Sequence, residues 1–261
     1  MRFCAQAALV ASALLATLPV AAQEASTPDI GRDSILLRSR VGTEVAAAHF
    51  SLDKGSGQYI VVTALADITV RGWLSLRAVV PLDMLSLDGS APRTRVGDVV
   101  GRMKFKLFET TDWLVQASVT AQFPTGDASH GMGNGAPALT PLITAGYEIG
   151  RAILYLTLSD SFSLRPHGPA PENFIDPSTD QEIVAIAGAN VRLAHGAFVQ
   201  LTVTPIFPLL APDRAHPFLY TTPVIGVSSS VLRVGFGMQI PIAGAFRFDE
   251  RAVASALFFL P

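Results

Sequence analysis

The sequence predicts an all-β fold, a single antiparallel transmembrane β-barrel of about twelve strands. Three observations carry this. Apolar and polar side chains alternate over stretches of roughly 10–14 residues, the mark of strands with one greasy and one wet face. The connections between those stretches switch regularly between very short and long. Hydrophobic residues make up 49% of the 261-residue chain and charged ones only 15%. Beyond the N-terminus, however, nothing runs the ~18 consecutive apolar residues of a spanning helix.

The first 22 residues read as a secretory signal. Arg2 supplies the positive start, Ala7 to Val20 the apolar run, and Val20-Ala21-Ala22 a small-residue cleavage site before Gln23. The apolar run is too short for an anchor helix, which needs ~20 residues. Cys4 is the sole cysteine and leaves with the leader, so the mature chain is expected to hold neither a disulfide nor a thiol nucleophile. A lead segment, 23–43, contains Pro28, Asp29 and Asp33. The barrel domain then occupies 44–261.

Strands are expected at about 44–52, 57–66, 71–82, 96–108, 112–124, 138–148, 151–164, 181–193, 196–208, 217–227, 230–242 and 251–260. The pattern is clearest at Trp113–Phe123. There Trp113, Val115, Ala117, Val119, Ala121 and Phe123 share one face and Gln116, Ser118, Thr120 and Gln122 the other. Likewise Met103, Phe105 and Leu107 oppose Arg102, Lys104 and Lys106, and Val234, Phe236, Met238 and Ile240 oppose Arg233 and Gln239. Tight connections are read at Asp67–Val70, Glu109–Thr111, Ile149-Gly150, Ala194-His195 and Ser228-Ser229. Long ones, rich in Gly, Pro, Asp or Ser, fall at Asp83–Arg95, Thr125–Pro137, Arg165–Asp180, Leu209–Pro217 and Ala243–Glu250. Short periplasmic turns, long extracellular loops and both termini in the periplasm make one consistent scheme with an even strand number. Alternation cannot tell inside from outside, so a soluble periplasmic ligand-binding barrel with a greasy interior is the competing fold.

The stretch Val96-Gly-Asp-Val-Val-Gly-Arg-Met-Lys-Phe-Lys-Leu-Phe108, a tight turn, and a strand closing in Phe123-Pro-Thr-Gly-Asp127 resemble the "MetA-pathway of phenol degradation" family of transporter-like outer-membrane barrels. Ile60–Pro81 is similar to that family's opening hairpin, and the resemblance covers most of the mature chain. It implies a barrel that passes small, often aromatic, organic compounds.

The alternation places Arg71, Arg77, Arg102, Lys104, Lys106, Arg151, Arg192, Arg233 and Arg251 on the lumen face with the acids Asp98, Glu148 and Glu182. An excess of positive charge in a low-dielectric bore favours anionic solutes. Arg77, Arg102, Lys104 and Arg233 are the candidate selectivity residues, with Gln116, Gln122 and Glu182 beside them. Ser118, Thr120, Gln200, Thr202 and Gln239 complete a hydrophilic lining. In Thr125–Pro137, Asp127, His130 and the run Gly131-Met-Gly-Asn-Gly135 suggest a loop gate. Gly131, Gly133 and Gly135 serve its turns, because no helix follows to make a phosphate site. The third long loop carries His167, Glu172, Asp176 and Asp180 among prolines. Trp113, Phe123, Tyr147, Phe218, Tyr220, Phe258 and Phe259 lie near strand ends, where interface girdles form.

Catalysis is not expected: there is no Gly-x-Ser-x-Gly, and only His49 lies well inside a strand. No metal-ligand spacing and no cofactor motif are present. A net charge of −2 gives no reason to expect nucleic acid. The expected partners are outer-membrane lipids and lipopolysaccharide, the barrel-assembly machinery, and the solutes themselves. The expected function is passive passage of small organic solutes, aromatic or anionic ones among them, through an outer-membrane channel. A non-conducting structural or adhesive barrel is the alternative within the same fold.

Overall fold

The strands form one continuous sheet, β1 (Arg40–Leu52), β2 (Gly55–Arg71), β3 (Leu74–Leu87), β4 (Arg93–Val96), β5 (Val99–Glu109), β6 (Trp113–Phe123), β7 (Ala138–Ile149), β8 (Ala152–Ser163), β9 (Gln181–Arg192), β10 (Ala197–Leu210), β11 (Phe218–Ser228), β12 (Leu232–Gly244) and β13 (Glu250–Phe259). The computed structural model describes residues 37–52, 55–164, 174–175, 180–210, 217–244 and 247–260. The expected leader, most of the lead segment, and His167, Glu172 and Asp176 lie outside the described residues.

Every neighbouring pair is antiparallel, and β2 pairs with both β1 and β3 while β13 pairs with β1, so the sheet closes on itself. β4 and β5 both pair with β3: Leu82 faces Val96 and Val79 faces Val100. Two residues of β3 therefore oppose three on the other side, and Gly97-Asp98 is a bulge inside one wall strand. The barrel is twelve-stranded and closed, as the alternation predicts.

Sidedness follows from exposure. Met103 and Leu107 are 47% and 59% exposed, whereas Lys104 between them is 3% exposed. Phe105 lies on the outer face half-buried, under the ring of Trp73. On β3, Leu76, Ala78 and Val80 face out while Ser75, Arg77 and Val79 face in. On β8, Leu154, Leu156 and Leu158 are exposed. A continuous apolar exterior with a polar interior is the inverse of a water-soluble barrel, and it suits hydrocarbon outside. That overturns the periplasmic ligand-binding alternative.

One rim carries the tight turns: Gly72-Trp73, Thr110–Asp112, Gly150-Arg151, Leu193–Gly196 and Ser229–Val231. At Gly150, φ is 58°, which a two-residue hairpin requires and glycine adopts without strain. The same rim holds the start of β1 and the end of β13, where Arg40 pairs with Phe259. Longer connections gather at the other rim, except that only two residues separate β1 from β2.

Three expectations need correction. Asp67–Val70 is not a turn: β2 continues to Arg71, because Ala64, Ala66, Ile68 and Val70 keep the outward period and Leu65 and Asp67 the inward one. β1 starts at Arg40, inside the expected lead segment. Of the expected girdle, Trp113, Phe123 and Phe258 face outward, joined by Trp73 and Phe108, and the Tyr147 ring lies tilted beside that of Trp113, their centroids 4.8 Å apart. Phe218, Tyr220 and Phe259 instead turn inward and are buried.

Candidate functional site: the barrel lumen

Toward the tight-turn rim, Asp67 gathers three cations. Its Oδ2 accepts from Lys104 Nζ at 2.6 Å, Arg40 Nη2 at 3.0 Å and Arg77 Nη2 at 3.2 Å. Its Oδ1 accepts from the Ser75 hydroxyl. All four charged side chains are 5% exposed or less. The four strands involved, β1, β2, β3 and β5, are adjacent in the sheet, so the cluster laces together one stretch of the wall. Arg77 and Lys104, expected as free selectivity charges, are thus held by a carboxylate. The hub still carries more positive than negative charge.

Arg233 sits in the same half of the barrel, on another wall. Its guanidinium lies over the Phe198 ring at 4.1 Å and donates to Gln200 Oε1 at 3.4 Å. The Phe198 ring fits because Gly226 and Gly235 leave room for it. Arg102 is also lumenal and donates through Nε to Thr120 Oγ1 at 2.7 Å. Arg71, Arg151 and Arg192 are exposed at the rim, where Arg192 pairs with Glu148 at 3.1 Å and Lys106 pairs with Glu109 at 2.7 Å.

The middle of the lumen is lined by hydroxyls and amides. Gln116, Ser118, Thr120, Gln200, Thr202 and Gln239 are buried on the inner face, as expected, and Thr63, Thr204 and Thr222 join them. The hydroxyls of Thr63, Ser118, Thr202, Thr204 and Thr222 have no hydrogen-bond partner among the described residues.

The long-loop mouth is different. Phe50, Tyr59, Leu85, Met132, Phe218, Tyr220 and Phe248 form one buried apolar cluster, with Phe174 packed against it. Met132 comes from the loop after β6 yet belongs to one buried cluster with side chains of β1–β3 and β11, so that loop turns into the mouth. Asp98 holds it there. The carboxylate is fully buried and accepts from Gln122 Nε2 at 2.8 Å, Gly126 N–H at 2.9 Å and Asn134 N–H at 2.7 Å. A Cβ on Gly126 would lie 2.6 Å from the Met132 carbonyl oxygen, and Gly133 has φ of 114° with Asp98 Oδ1 alongside. Only glycine fits at these two places.

The Gly97-Asp98 and Pro124-Thr-Gly-Asp127 segments that carry the family resemblance are therefore in direct contact. Thr125 Oγ1 also donates to the Gly97 carbonyl at 2.8 Å and accepts from Val99 N–H at 2.9 Å.

Of the other loop residues, Asp127 and His130 stay at the surface, 2.7 Å apart, with Arg95 3.6 Å from Asp127. The Ser129 hydroxyl, followed by His130 and Arg95, holds the Asp127 carboxyl below its ordinary range. Gly131, Gly133 and Gly135 all have positive φ. Glu182 ties down a second loop through Arg247, placing Phe248 over the bore.

Among solved structures, the chain is similar to the COG4313 outer membrane channel from Pseudomonas putida F1, at 11% identity and a TM-score of 0.65, covering 86% of this chain and 96% of that one. It is also similar to the NanC porin, at 6% identity and a TM-score of 0.57, covering 85% and 100%. The architecture is that of an outer-membrane β-barrel. No family model and no curated protein matches the chain, so the MetA-pathway resemblance is not confirmed. Among the described residues, no group of His, Cys, Asp and Glu is arranged to hold a metal ion.

The lumenal acids Glu44, Asp67 and Asp83 escaped the sequence reading. Asp67 was legible in the unbroken alternation of β2. Glu44 opens an expected strand but was not assigned a side. Asp83 looks like loop sequence, and only its pairing with Arg95 in the β3–β4 ladder shows that the strand runs on.

Proposed function

We propose that this barrel is a channel for passive passage of small organic solutes across the outer membrane, with the loop after β6 as its gate. The observation that carries the proposal is the hydrophilic middle of the lumen, with its buried hydroxyls. Buried hydroxyls without a partner cost about 1–3 kcal/mol each. A barrel meant only as a solid post would pair them or replace them with apolar side chains. Water admitted to the bore on opening would satisfy them. Twelve strands lie between barrels filled by side chains and the wide porins, so the bore is narrow and suits solutes of single-ring size. The similarity to an outer-membrane channel and a porin supports this reading. Aromatic or anionic solutes, lipopolysaccharide around the long-loop rim and insertion by the barrel-assembly machinery belong to the same proposal.

Planar-bilayer recording on the folded protein tests it. Discrete conductance steps in KCl, with larger or longer openings when Asp98→Ala frees the gate loop, are the expected result. Silence from folded protein and from the Asp98→Ala variant alike would overturn it. That outcome would leave a non-conducting barrel, the reading favoured by the apolar cluster at the mouth and the Asp67 hub.

A further inference from the structure

Arg251 is unlike the other lumenal cations. It is 4% exposed, its Nε has no hydrogen-bond partner, and no ion pair joins it to an acid among the described residues. Arg40, Arg77 and Lys104 share Asp67, and Arg233 has Gln200, but Arg251 meets only rings. Its guanidinium carbon lies 4.3 Å from the centroid of Phe248 and 6.0 Å from that of Tyr59. Stacking uses the flat face of a guanidinium and leaves its N–H edges free, in the fork geometry that matches a carboxylate. In the sheet Arg251 is flanked by Gln239 on β12 and by Ala48 on β1. Gln239 adds an amide beside the fork, and Ala48, fully buried in the apolar cluster, keeps that side short. The cation thus stands where the apolar cluster meets the hydrophilic lining.

A buried guanidinium lacking a counter-charge is costly, and an arriving anion relieves that cost. The aromatic collar selects what the anion is attached to. We propose that Arg251 and the rings above it form a binding step for small carboxylates bearing an apolar body about the size of one aromatic ring. The carboxylate lies on the guanidinium edge and the body rests among Phe248, Tyr59 and Phe50. The inference rests on the channel reading for its purpose but not for its chemistry. Arg247 and Glu182 hold the loop bearing Phe248, so the ring that covers the guanidinium is itself positioned.

The test is isothermal titration of the folded, detergent-solubilised protein with benzoate, with benzamide as its neutral isostere, and with acetate as a carboxylate lacking the ring. Benzoate is expected to bind at least about tenfold more tightly than benzamide, since a forked charge-assisted pair exceeds a neutral contact by that order, and about tenfold more tightly than acetate, which buries no ring. Arg251→Gln should abolish the preference for benzoate over benzamide, and Arg251→Lys should retain part of it. Equal affinity for benzoate and benzamide in the unaltered protein, or no benzoate binding, would overturn the site without recourse to any variant. Equal affinity for benzoate and acetate would overturn the collar. KCl conductance is read separately. A silent barrel that still prefers benzoate defeats the channel reading and leaves the site standing. A conducting barrel with no such preference does the reverse.

Discussion

Asp67→Asn tests whether the charge hub braces the wall formed by β1, β2, β3 and β5. The substitution keeps the size of the side chain and an acceptor for Ser75, and removes one negative charge from among three cations. Each cation lies 2.6–3.2 Å from the same oxygen, and the side chains involved are 5% exposed or less, so solvent screens them little. At an effective dielectric near 20, a pair at such contact distances is worth about 5–6 kcal/mol before desolvation and cation–cation repulsion are subtracted. Removing one partner of a buried pair costs about 3–5 kcal/mol in practice. With three cations left facing one another, the upper part of that range is expected. Urea unfolding in phospholipid vesicles reports it through Trp73 and Trp113, the protein's two tryptophans, both on the outer face beside the tight-turn rim. Adding Lys104→Met should recover part of the loss, by about 0.5–3 kcal/mol of coupling. A loss below about 1 kcal/mol for Asp67→Asn, the level of a surface pair, would refute the claim that the hub braces the wall. In a conducting barrel the same variant should also shift the reversal potential in a KCl gradient toward chloride, because the lumen then holds one negative charge fewer.

Other expectations concern the outside and the mouth. Leu156→Arg puts a charge in the middle of the apolar band and should cost about 2–4 kcal/mol in vesicle unfolding; an unchanged midpoint would contradict the sidedness. Asp98→Ala removes the acceptor of three hydrogen bonds, each worth about 1.5–3 kcal/mol to a charged group. The loop 124–137 should then become cleavable by added protease while the strands stay intact, and persistent resistance would mean that Asp98 is not its anchor. Brominated lipids should quench Trp73 and Trp113 most strongly when the bromines lie near the headgroups. Maximal quenching at mid-chain depth would displace the expected girdle.

Much of the barrel is visible in the chain because period-two alternation is a local signal. Met103, Phe105 and Leu107 against Arg102, Lys104 and Lys106 can be read from six neighbouring residues, and closure into a barrel lets one such face meet lipid. Tight turns such as Ile149-Gly150 are equally local, since a glycine supplies the positive φ they need. The lumen was legible by face, as for Gln116, Thr120, Arg102 and Arg233. It was not legible by partner. Lys104 and Asp67 are far apart in sequence and meet only because β2, β3 and β5 lie side by side at one register. The single apolar residue Met132 reads as loop composition until the chain around Asp98 directs it into the mouth cluster.

Alternation thus dictates strands, their two faces and the sorting of short from long connections, since each depends on residues a few positions apart. Which charges neutralise one another, which loops enter the mouth, and which arginine keeps its edges free depend on how neighbouring strands slide past each other. That stagger is set by closing the whole sheet.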